Sequence, residues 1–299
     1  MADGNWLFEF PEMERGDLVA IRKLLDGAYR DFSRSYGDAV EAFFEPLLWF
    51  LINLEKLLLW TPWWLLMIVF TGIVFAATRS WKLCVGVVIA LALIGYLGMW
   101  EDTMKTLSII TVCTLLSIAI GIPIGIAMAR SDRVQAGVTP VLDVMQTMPA
   151  FVYLVPVVML LGIGRVPGVI AVIIYAIPPV IRLTNLGIRL VDKEVLEAAT
   201  AYGASKWQRL WGVQLPLAMP TIMAGINQTI MMALAMVVIA SMIGVAGLGQ
   251  PVLRSITNQY FTMGLFNGLA IVALAIIFDR VSQAYAKRTQ KHLGGAGHG

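Results

Sequence analysis

Charge is what this sequence has least of: Asp, Glu, Lys and Arg make up 14% of its 299 residues, against about 25% in ordinary soluble domains. Apolar side chains reach 59%, and that balance marks a membrane protein by arithmetic alone. Histidine is confined to His292 and His298 in a Gly-rich end, and cysteine to Cys84 and Cys113 in apolar stretches. That usage argues against a disulfide framework or a Cys/His zinc site. No Gly-Lys dipeptide occurs, so the phosphate-binding loop is missing and the chain cannot hydrolyse ATP by that route. An H-E-x-x-H helix and a G-x-S-x-G elbow are missing as well, and the apolar stretches offer almost no nucleophile or acid–base pair. The formal charge of +3, from 22 basic against 19 acidic side chains, is too small and too dispersed for a nucleic-acid partner.

What is present is a series of apolar runs between charged breaks. A hydrocarbon core of about 30 Å takes about 20 helical residues, and the runs near 63–78, 82–99, 103–129, 138–163, 167–188, 216–243 and 263–282 predict about seven membrane-spanning helices in an all-α fold. The run 46–60 is short, carries Glu55 and Lys56 and ends at Thr61-Pro62, which predicts an interfacial helix. Thirteen Lys and Arg fall in the breaks 79–82, 130–133 and 182–215 and at the C-terminal end, against Lys105, Arg165 and Arg254 on the other side. Cytoplasmic loops retain positive charge, so the C-terminus is expected inside the cell and the N-terminus outside.

The first residues carry Asp3, Glu9, Glu12 and Glu14 and lack the basic start and apolar core of a cleavable leader. Leu18, Ile21, Leu25, Ala28, Phe32, Tyr36, Val40, Phe43 and Leu47 recur at steps of three or four, one face of a helix lying on the membrane, on a partner or on the chain's own spans. The expected organisation is 1–62 amphipathic and interfacial helices, 63–99 two additional spans, 100–285 a transmembrane core with a cytoplasmic loop at 189–215, and 286–299 a basic, Gly-rich tail that anchors by its positive charge or binds anionic lipid.

The loop beginning at Asp192 holds good helix formers, an interruption at Gly203-Ala204-Ser205, a second helical piece from Lys206 to Val213 and then Leu215-Pro216. Glycine permits a sharp turn and proline cannot continue the preceding hydrogen bonding, so two short helices with a bend are expected, stopping at Pro216. The loop suits an amphipathic connector on the membrane or a piece docked in a partner's cleft. Glu197-Ala198-Ala199, Gly203-Ala204, Leu215-Pro216 and Pro220 resemble the EAA motif of ABC importer permeases. The stretches Gln146–Pro156, Gly162–Gly168 and Ile174–Gly187 resemble the glycine betaine/proline branch, over about residues 100–282.

The resemblance implies a type I importer fold in which two copies join two ATP-binding subunits using ATP and Mg, while a substrate-binding protein delivers cargo and this chain binds no cofactor. Residues 197–209 would be the coupling helix, with Gly203 at its bend. For the path, charged and polar groups at membrane depth are the candidates. Asp143, near the expected cytoplasmic end of its span, either attracts a quaternary ammonium as it leaves the path or is an interfacial carboxylate, solvated or paired with Arg130 or Arg133. Phe151, Tyr153 and Tyr175 could offer ring faces to a methylated ammonium, and Asn227, Gln228 and Thr229 either line the path or bond between helices. Asp279 and Arg280 end the last span. Gly244 to Gly249 with Pro251 reads as an extracytoplasmic reversal, and Gly121-x-x-x-Gly125 as a close helix contact. Cargo in this reading is a betaine-like solute, with choline, carnitine, trimethylamine N-oxide and proline as alternatives. An ion-coupled carrier should instead show inverted repeats and intramembrane carboxylates.

Overall fold

A computed structural model describes residues 13–294. The acidic start 1–12, the end 295–299 and the side chains of Lys287, Lys291 and His292 lie outside the described residues, and the expectations placed on them go no further. Every regular element among the described residues is helical: α1 (Arg15–Trp60), α2 (Trp63–Thr78), α3 (Trp81–Tyr96), α4 (Trp100–Arg130), α5 (Asp132–Thr147), α6 (Ala150–Leu161), α7 (Arg165–Ala176), α8 (Pro178–Arg189), α9 (Lys193–Ala201), α10 (Lys206–Arg209), α11 (Leu215–Ala240), α12 (Gly249–Asn258) and α13 (Phe261–Gly294).

Among the described residues four stretches are long and apolar enough to cross a membrane: α4, α7 with α8, the run Lys206–Ile243, and 261–286 of α13. Two further pairs qualify only when joined, α1 with α2 bent by 113° and α5 with α6 bent by 102°. The count is therefore four, or six with the bent pairs, where the apolar runs predict about seven. Proline causes both bends. Thr61 and Met148 each precede a proline and adopt ψ 131°, because the ring excludes the helical conformation from the residue before it. The expected span 138–163 is thereby two helices, and α2 and α3, at 16 residues each, are about 24 Å long.

The stretch 46–60 is not a separate interfacial helix. It continues the amphipathic helix as the second half of α1, with Pro46 inside. Leu51 and Glu55 are buried, and Glu55 has a partner: Arg165 at the start of α7 donates to its two oxygens at 3.0 and 3.3 Å. A charge in an apolar run is tolerated here because it is paired and hydrogen-bonded.

The centre of the bundle is α8 held between α4 and α11. A Cβ at Gly125 would stand 2.6 Å from Thr184 Cβ and 2.8 Å from the Ile181 carbonyl, and one at Gly121 would overlap Val180. The Gly121/Gly125 spacing thus brings the α4 backbone directly onto α8. The reversal after α11 is pinned in the same manner. Thr106 Oγ1 of α4 accepts the Leu248 N–H at 2.9 Å and donates to the Asp102 carbonyl at 2.8 Å.

Candidate functional site

The region 192–216 is built from paired stop and start signals. Asp192 Oδ1 accepts the Glu194 N–H at 2.9 Å and opens α9. At the other end the Ala204 N–H reaches the Ala199 carbonyl at 3.0 Å and the Gly203 N–H the Thr200 carbonyl at 2.9 Å, with Gly203 at φ +82°. That is a Schellman stop, whose left-handed residue is normally glycine. One residue later a capping box starts α10: Gln208 N–H to Ser205 Oγ at 3.3 Å and Ser205 N–H to Gln208 Oε1 at 2.8 Å. This box satisfies backbone donors that a helix start leaves open. Arg209 ties the two short helices together by donating to Thr200 Oγ1 at 2.8 Å.

The inner side of the bend is apolar: Leu196 packs on Ile188, Val191, Leu210, Leu215, Ala218 and Ile222. The outer side is not covered. Glu197 and Ala198 are exposed and Ala199 half-buried, while Tyr202, Trp207 and Trp211 are 93%, 60% and 62% exposed. Large aromatic side chains left open on a rigid knob are the composition of an interaction surface. The Arg130 guanidinium at the end of α4 lies 5.0 Å from the Trp207 ring centre, a cation–π contact that seats the knob.

Leu215-Pro216 does not end the second helix, contrary to the expectation above. A π turn at Leu210–Gln214, closed by the Leu215 N–H on the Leu210 carbonyl, carries the chain into α11. The wider turn takes up the ring of Pro216, which has no N–H to give, and Pro220 also lies inside α11. The helical path from Lys206 to Ile243 is unbroken. Arg182 and Arg189, counted with this loop in the sequence, belong instead to α8.

The path candidates separate. Asp143 pairs with Arg182 of α8, not with Arg130 or Arg133, because α5 runs back along α8 and Arg189 takes Asp132 at 2.7 Å. Tyr153 is buried, donates to the Met145 carbonyl across the α5–α6 bend and stands edge-on to Tyr175 with ring centres 5.8 Å apart. Phe151 is exposed, so the three rings do not form one cage. Asn227, Gln228 and Thr229 point three ways, as the 100° step of a helix requires. Asn227 bonds to α13, donating to Asp279 Oδ1 at 2.8 Å and accepting from Ser282 at 2.6 Å, and Gln283 also donates to Asp279 at 2.8 Å. Thr229 is fully buried. Gln228 alone of the three is exposed. The Asn227–Asp279–Ser282 cluster escaped the sequence because its members are some fifty residues apart; the polar spacing of Asp279, Ser282 and Gln283 along one helix face was the available signal.

The family model for the binding-protein-dependent transport system inner membrane component matches residues 121–291, more than half of the chain. The chain belongs to that family. A glycine betaine/carnitine transport permease protein of Listeria monocytogenes is 49% identical to the permease over 232 residues, covering 77% of this chain and 82% of the relative. A glycine betaine/proline betaine transport system permease protein of Escherichia coli is 50% identical over 247 residues, covering 81% and 68%. Among solved structures, an inward-facing MetNI methionine ABC transporter aligns with TM-score 0.57 at 18% identity over 64% of this chain and 95% of that one. That likeness concerns the fold, which is the type I ABC importer permease. The permease is an inner-membrane component of a system that works with a binding protein, and the ion-coupled reading falls away.

Proposed function

We propose that this permease moves betaine-like compatible solutes, glycine betaine, proline betaine and proline, into the cell by alternating access. It would act as a homodimer joined to two ATP-binding subunits, which hydrolyse ATP with Mg, and would receive cargo from the substrate-binding protein. The permease contributes no catalytic residue and binds no cofactor of its own. The observation that carries the coupling role is the doubly capped bend, Glu197 to Arg209, running without a break into the long helix that ends at Ile243. Motion imposed on Ala198, Tyr202 and Trp207 by a partner would pass into the span as a rigid displacement, because no flexible joint intervenes to absorb it. Gly203, Ala204, Leu215, Pro216 and Pro220 maintain that shape and continuity. Glu197 lies on the outer face beside them.

This reading puts 189–215 and the C-terminus in the cytoplasm and the N-terminus outside, following the basic residues. Residues 100–285 form the transport core, and α2 and α3 pack as additions on the flank of α13. The path runs by Asp143, Tyr153, Tyr175 and Gln228; Phe151, Asn227 and Thr229 drop from first rank, since two serve packing or interhelical bonding and the third is set apart from the paired rings. Ring faces attract a methylated ammonium, and a path must hold its cargo weakly enough to release it. A second reading keeps the architecture and changes the cargo to carnitine, choline or trimethylamine N-oxide, since the name of the Listeria relative includes carnitine.

The test is uptake of labelled glycine betaine into proteoliposomes holding the permease, its ATPase and its binding protein. Uptake that requires the ATPase and is competed by proline betaine is the expected result. Failure of the ATPase to associate with the permease overturns the coupling role, and competition won by choline or carnitine moves the cargo.

A further inference from the structure

Arg182 lies in the middle of an otherwise apolar turn of α8: Val180 and Ile181 are buried against α4 and α5, while Arg182, Leu186 and Arg189 share the opposite, outward face. It stands seven residues, about 10 Å along the axis, inside the Arg189 end of a 25-residue apolar stretch. Its guanidinium meets the Asp143 carboxylate of α5 through one terminal nitrogen. Its Nε is buried without a hydrogen-bond partner. The Asp143 side chain is 58% and the Arg182 side chain 36% exposed, so the pair is open at the face of the bundle, where a solute can reach it. Gln146, one turn beyond Asp143, is exposed on the same helix, and Asp132–Arg189 closes the lower end of the seam.

We infer that Asp143 and Arg182 form an exchange site for a zwitterion, at which the cargo's carboxylate takes over Arg182 and its quaternary ammonium takes over Asp143. The inference rests on the reading of the permease as a betaine importer. Opening the pair for a solute without charges takes the counter-charge from Arg182, a part-buried guanidinium whose Nε already has no partner, and leaving a part-buried charge unpaired is unfavourable. A molecule carrying both charges a few bonds apart replaces each protein partner in the same step, its carboxylate taking the charge-assisted hydrogen bond that the terminal nitrogen of Arg182 gives Asp143. Choline brings the cation without the anion and leaves Arg182 unmatched. The pair therefore sorts solutes by charge pattern inside the permease, after the binding protein has made its own choice, and Arg182 is the specificity-determining residue.

The experiment compares glycine betaine uptake, counted per assembled permease–ATPase complex, for Asp143→Asn, Arg182→Gln, the neutral double variant Asp143→Asn/Arg182→Gln and the exchanged double variant Asp143→Arg/Arg182→Asp. Each single variant is expected to lose at least tenfold. The exchanged double should recover most of that loss, because a zwitterion fits an ion pair in either direction, and the neutral double should stay as low as the singles. Arg182→Lys, which keeps both charges, is expected to remain within a few-fold of the original and serves if an exchanged pair does not assemble. Equal recovery by the neutral and exchanged doubles, or Arg182→Lys as poor as Arg182→Gln, would overturn the exchange site and leave a structural bridge. No betaine uptake by the unaltered permease, with its ATPase bound and active, would instead overturn the cargo assignment, so the two failures are separable.

Discussion

The α4–α8 crossing and the α9–α10 bend are both built on glycine, and they need it for opposite reasons. At Gly125 the backbone is ordinary helix and the space is missing: any side chain meets Thr184 and the Ile181 carbonyl. At Gly203 the space is open, with nothing within 4 Å of a Cβ, and the backbone is the constraint at φ +82°. One glycine buys proximity between spans and the other makes a turn on an exposed knob. The crossing should therefore be sensitive to the size of a replacement and the bend to its backbone preference, a contrast between a contact closed inside the bundle and a turn exposed on its surface.

Substitutions can break that contrast. The largest effect is expected for Gly125→Leu, which forces four heavy atoms into a contact with no room. Overpacking of this kind costs about 3 kcal/mol or more when the neighbour is backbone, and the amount of assembled permease recovered from membranes should fall by tenfold or more. Normal recovery would mean that the crossing yields. Next comes Gly203→Val, for which the left-handed conformation costs about 1–2 kcal/mol. The variant should insert and bind its ATPase, while uptake per ATP hydrolysed drops severalfold; Gly203→Asn, tolerant of that conformation, should lie between. If Val and Asn behave alike, size and not backbone preference governs the bend. The smallest effect belongs to Ser205→Ala, which removes one half of the capping box and about 1 kcal/mol of helix stability. Uptake should stay within a few-fold, with faster hydrogen exchange over Lys206–Arg209 as the sensitive readout.

Legibility differed between these regions for physical reasons. The bend could be read because its signals are local: Gly203 for the stop, Ser205 three residues before Gln208 for the start, Asp192 before α9. The continuation through Pro216 could not, since proline ordinarily ends a helix, and only a π turn, a rare form, allows the ring to pass. The outcome of Thr61-Pro62 and Met148-Pro149 was equally open in the chain. There proline bent the helix by 113° and 102° and lowered the number of straight spans below the number of apolar runs. Glu55 read as a reason to keep 46–60 at the interface because its partner, Arg165, is 110 residues away.

The sequence by itself determined the all-α membrane class, the family and the bent two-helix loop at 192–209, because apolar run length, turn residues and motif spacing are properties of neighbouring residues. The tertiary structure decided the partners: Arg182 for Asp143, Asp279 for Asn227, Tyr175 for Tyr153, α8 for Gly121 and Gly125. Those choices follow from how bent and straight helices fill one shared volume, and a charge or a hydroxyl far away in the chain becomes a partner only once that volume is closed.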